Sequence, residues 1–64
     1  MKLEDELLQN AETMLVRALG YLTTLEERFL DTDLSYVQEE RAHRLKNKLS
    51  ELHGDVVRLR KEVA

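Results

Sequence analysis

Apolar side chains recur along this chain at alternating steps of three and four, the spacing of a helix that buries one stripe against a neighbour. One series runs Leu8, Ala11, Leu15, Ala18, Leu22, Leu25 and Phe29, and a second runs Ala42, Leu45, Leu49, Leu52, Val56, Leu59 and Val63. Leu, Glu, Lys, Arg and Ala, all good helix formers, dominate both stretches. Between them lies Asp31-Thr32-Asp33-Leu34, the densest group of turn-favouring residues. The pattern predicts helix 1 over about 2–30, a turn at 31–34 and helix 2 over about 35–63. The fold class is therefore all-α, a single antiparallel two-helix hairpin of coiled-coil type. Ser35 and Gln38 have the spacing of a capping box at the second helix start. Glu4, Asp5 and Glu6 suit the positive end of the first helix, and Arg58, Arg60 and Lys61 the negative end of the second.

Folding one stripe onto the other gives a register. Pairs whose numbers sum to 67 bring together Leu8–Leu59, Ala11–Val56, Leu15–Leu52, Ala18–Leu49, Leu22–Leu45 and Leu25–Ala42. Only Phe29–Gln38, beside the turn, mixes an apolar with a polar residue. With Leu8 and Ala42 as heptad position a, the flanking e positions pair at a sum of 65: Asp5–Arg60, Glu12–His53, Leu19–Lys46 and Glu26–Glu39. The first two attract, given a charged His53, and the last repels. Exposed pairs of this kind contribute only ~0–1 kcal/mol each, so they favour the register without fixing it. Gly20 and Gly54 both fall at f, pointing away from the seam.

A lone pair of helices buries little, and the informative side chains are those outside the seam. Helix 1 carries a second apolar row at g, formed by Leu7, Met14 and Tyr21 and continued by Leu3, while Leu19 widens the opposite flank. Helix 2 has Arg41, Lys48, Asp55 and Glu62 at its g positions and no such row. An extra stripe on so small a chain reads as an association site. Leu3, Leu7, Met14, Tyr21 and Leu19 are thus the candidate partner-binding residues, and the occupant is either another helical protein or a second copy closing a four-helix bundle.

Composition narrows the function further. The chain has 64 residues with no Cys and no Pro, which excludes a disulfide framework or a thiolate metal site. No long apolar run suggests a membrane span, and the acidic opening differs from the basic start of a secretory leader, so a cytoplasmic protein is expected. Residues 1–30 carry three basic and six acidic side chains, and residues 34–64 carry seven basic and five acidic ones. The basic run from Arg41 to Lys48 is diluted by Glu39, Glu40 and Glu51, which reads as a solvated face rather than a phosphate grip. Glu40 and His43 have the i,i+3 spacing of carboxylate-bridged metal bundles, yet they fall at f and b, on the wet side, with no second copy. No nucleophile–His–acid set and no Gly-rich phosphate loop is present. Neither catalysis, metal nor cofactor is expected.

Two resemblances follow from these residues. The opening Leu3-Glu4-Asp5-Glu6-Leu7-Leu8, the Leu- and Ala-rich first helix, and a turn leading to Tyr36 and Gln38 resemble the small co-chaperones of type III secretion needle subunits. That resemblance implies a heterodimer with a tetratricopeptide-repeat chaperone, which keeps an aggregation-prone needle subunit monomeric in the cytoplasm. The alternating large and small layers Leu8/Ala11 and Leu15/Ala18 look like the Rop-type plasmid copy-number proteins, hairpins that dimerise into a four-helix bundle and bind paired RNA loops. The matching face would be Lys2, Asn10, Met14, Arg17, Tyr21 and Arg28, but a net-negative first helix offers few cations to phosphate. A protein-binding adaptor or co-chaperone is the leading expectation, and an RNA-binding regulator the alternative.

Overall fold

Strong helix formers without internal proline leave nothing to interrupt a long helix, and the chain folds accordingly. In a computed structural model, which describes residues 3–63, helix α1 spans Leu3–Glu27 and helix α2 spans Tyr36–Val63. A single 3-10 turn, Phe29–Asp31, lies between them. The two helices pack antiparallel as an all-α hairpin whose Cα atoms extend over 45 × 15 × 12 Å. Lys2, at the expected start of helix 1, lies outside the described residues.

The first helix ends three residues earlier than the periodicity predicts, for a local reason. Arg28 donates its amide to the Thr24 carbonyl at 3.0 Å, but the next bonds tighten to i→i+3, from Asp31 to Arg28 at 2.9 Å and from Thr32 to Phe29 at 3.0 Å. Thr32 then turns extended, at φ −111° and ψ 165°. Its hydroxyl donates to the Phe29 carbonyl at 2.7 Å and accepts from the Leu34 amide at 3.4 Å. A short polar side chain thus supplies partners that a further helical turn would have supplied, and the helix stops. No described residue needs a positive φ, which is how the chain reverses without glycine in the turn.

The second helix starts as its sequence dictates. The Gln38 amide donates to Ser35 Oγ at 3.2 Å, and Gln38 Oε1 accepts from the Ser35 amide at 3.0 Å, so the capping box is reciprocal. Ser35 is therefore the cap, outside the helix proper, and the connection is longer than the expected 31–34. Phe29 packs on Tyr36 with ring centroids 5.3 Å apart, giving the residue without an apolar partner in the expected register an aromatic neighbour across the turn.

Candidate functional site

The two edges of the hairpin differ. Along one edge the e positions of both helices close into a ladder of charges. Arg60 Nη1 donates to Glu12 Oε2 at 2.6 Å, and its Nε donates to Asp5 Oδ1 at 3.4 Å. His53 Nε2 lies 4.0 Å from Glu12 Oε1. Nearer the turn, Lys46 Nζ donates to Glu26 Oε2 at 3.1 Å, and His43 Nδ1 meets Glu26 Oε1 at 2.9 Å. Hydrogen bonds from His43 and Lys46 hold the Glu26 carboxyl below the usual carboxylate range. Hydrogen bonds to Glu12 and Asp5 raise the Arg60 guanidinium above its ordinary value. All these acids and Lys46, His53 and Arg60 are half-buried, so both helices have rolled toward this edge.

The expected e pairing is found for Asp5–Arg60 and, loosely, for Glu12–His53. The expected Glu26–Glu39 repulsion is relieved, because Glu26 reaches diagonally to His43 and Lys46. Arg60 uses the same diagonal to add Glu12. Reading the two rows at a sum of 72 instead of 65 reveals these partners, Glu12–Arg60 and Glu26–Lys46. Long arginine and lysine stems span the extra turn.

Closing one edge opens the other. Leu8, Leu15, Leu22, Leu25, Leu49 and Val56 lie half-buried between the helices, as a seam requires. Leu45, Leu52 and Leu59, placed by the register in the same seam, are instead exposed, Leu45 and Leu52 by half their surface. The roll toward the charged edge carries the d positions of α2 out of the interface. They come to flank the same open side as Leu7 and Met14, each 58% exposed, and Tyr21, 76% exposed. Leu3 continues the row at its outer end. Leu19 does not join them; it is half-buried at the opposite, charged edge. The candidate site is therefore larger than the single stripe read from helix 1. It is a two-helix apolar face, with Leu7, Met14 and Tyr21 from α1 and Leu45, Leu52 and Leu59 from α2.

The surface area gives this face its weight. A folded monomer of 7.5 kDa exposes roughly 4,200 Å² by the usual relation of surface to mass, whereas this chain exposes 5238 Å². The excess is about 1,000 Å². Among the described residues none is fully buried, so the hairpin has a seam but no core.

The other chemistry-bearing residues are engaged elsewhere. Glu40 Oε1 accepts from Arg44 at 2.8 Å while His43 turns to Glu26, so the i,i+3 pair does not converge. Among the described residues no three His, Asp or Glu side chains gather around a point that could hold a metal ion. No helix of the described residues is long and apolar enough to cross a membrane. No model of a known protein family, no curated protein and no solved structure matches this chain.

Proposed function

We propose that this chain is a non-enzymatic, protein-binding adaptor of the co-chaperone kind, which acts by laying its open face against helices of another protein. The observation that carries the reading is the exposure of Leu7, Met14 and Tyr21 beside Leu45, Leu52 and Leu59 on one side of a hairpin that fully buries none of its described residues. Burying a Leu or Met side chain stabilises a complex by roughly 1.5–3 kcal/mol, so three or four such anchors supply most of a specific interaction. The charged edge has the complementary task of keeping the two helices together while the other side stays available.

The resemblance of the opening Leu3-Glu4-Asp5-Glu6-Leu7-Leu8 and of the turn with Tyr36 and Gln38 to type III secretion co-chaperones supports a finer version of this reading. In that version the partner is a cytoplasmic tetratricopeptide-repeat chaperone, whose stacked helix pairs offer an extended concave surface. The adaptor covers part of it and steadies the chaperone for its needle subunit.

Co-purification of the tagged chain from its native host, with the mass of the complex determined, tests the proposal. Leu7→Asp or Met14→Asp abolishes the complex, because a carboxylate cannot be buried unpaired in an apolar contact. Arg58→Ala, at an exposed position, leaves it intact. Equal losses from both kinds of change contradict the assignment of the face. The complex also resists added salt, and a steep loss with salt points instead to the RNA-binding alternative.

A further inference from the structure

The open face carries a pattern that matches itself when reversed. Along α2 the g row reads Arg41, Lys48, Asp55, Glu62, positive toward the turn and negative toward the free end. Laid antiparallel on a copy of itself, this row brings Lys48 to Asp55 and Arg41 to Glu62 of the second chain, at a sum of 103. The adjoining leucines agree within one residue: at a sum of 104, Leu45 faces Leu59 of the copy and Leu52 faces its own equivalent.

The rows of α1 obey the same operation. At a sum of 32 every g residue meets a d residue of the copy: Leu7 with Leu25, Met14 with Ala18, Tyr21 with Ala11, and Arg28 with Glu4. Tyrosine and methionine thus meet alanines, leucine meets leucine, and the one cation meets an acid. The centres of the two operations are residue 16 of α1 and Leu52 of α2, whose numbers sum to 68. That is level within the hairpin, since its cross-helix ion pairs span sums from 65 (Asp5–Arg60) to 72 (Glu12–Arg60). One two-fold axis therefore satisfies both helices at once, the requirement of an isologous interface.

Area points the same way. A face 45 Å long and 15 Å wide between Cα extremes projects to about 700 Å², close to the ~800 Å² per partner of a standard stable interface. Covering it removes most of the excess surface of about 1,000 Å² that the lone hairpin exposes.

We infer that, until another protein takes this face, a second copy of the chain covers it, packed antiparallel about a two-fold axis level with Leu52, with the turns at opposite ends. The inference rests on the docking reading above and adds a reserve state to it: the partner displaces a copy rather than meeting bare leucines. Lys48–Asp55 and Arg41–Glu62 set the direction of the pairing, because both form only when α2 lies antiparallel on α2 of the copy.

Single cysteines test the geometry, since the chain has none of its own. The full chain is expected to sediment as a dimer. Under mild oxidation Leu52→Cys links two chains, because that position meets itself on the axis, whereas Ser50→Cys, on the outward side, does not. Lys48→Glu weakens the dimer roughly tenfold by turning two rim contacts repulsive. Adding Asp55→Lys to it restores association. A dimer in which Leu52→Cys fails to cross-link, or in which the double charge exchange does not rescue, overturns the inferred arrangement. A monomer that binds an apolar fluorescent dye, and loses that binding in Leu7→Asp, overturns the second copy as occupant but leaves the docking face standing. A monomer that binds no dye overturns both.

Discussion

Arg60 sits between two acids of the opposite helix, donating to Glu12 and Asp5 from one guanidinium, and its forked donors make this double contact possible. Arg58, two residues earlier, pairs with Asp55 on its own helix. The consequence is unequal: Arg60→Ala lowers the denaturation midpoint clearly more than Arg58→Ala, because it leaves two half-buried carboxylates facing each other. Glu26 occupies the corresponding place near the turn. Its carboxyl is held below its ordinary range by His43 and Lys46, so the stabilisation it gives is present above that range and is lost as the pH falls through it. An acid titration of the midpoint shows this fall, and Glu26→Gln flattens that limb while lowering stability at neutral pH. At this scale the sequence is only half informative. Asp5–Arg60 is legible from heptad positions alone, but the diagonals from Glu12 and Glu26 depend on side-chain length and on a one-turn reach that ideal pairing ignores.

Each helix owes its limits to a few polar groups. The Ser35–Gln38 box is readable from two letters at the right spacing, and both of its hydrogen bonds form. Ser35→Ala costs about 1 kcal/mol of unfolding free energy, measurable by denaturant titration. The end of α1 is harder to read, because Phe29 and Leu30 continue the helical composition while Thr32, two positions later, withdraws the chain by bonding back to Phe29. Side-chain competition for backbone groups leaves little trace in an apolar pattern. The f-position glycines give a cleaner test. A methyl group built at Gly20 or Gly54 meets nothing within 4 Å, and both positions point away from the seam. Gly20→Ala therefore stabilises α1 by roughly 0.5–1 kcal/mol and leaves association unchanged. A loss of partner binding in Gly20→Ala would show instead that another backbone approaches there.

At the scale of the whole chain, periodicity is enough to give an antiparallel hairpin, because two unbroken stripes and one polar turn allow little else. Periodicity does not give the roll of the helices about their own axes. A heptad seam is symmetric to first order, and the e positions, with their mostly attractive charges and Leu19, favour one edge. That roll exposes Leu45, Leu52 and Leu59 and joins them to Leu7, Met14 and Tyr21 in one surface. A seam of half-buried side chains is a thin basis for an independent fold, since so short a chain draws little from a single core. Anything that binds the open face raises the melting temperature by mass action. The most direct measurement is the thermal midpoint of the isolated chain, followed by its helical circular dichroism over a wide range of chain concentration. A midpoint that climbs steadily with concentration is the predicted result. A sharp, cooperative midpoint that does not move from the most dilute to the most concentrated sample contradicts a second copy on the open face, and the open face itself falls if that monomer also binds no apolar dye.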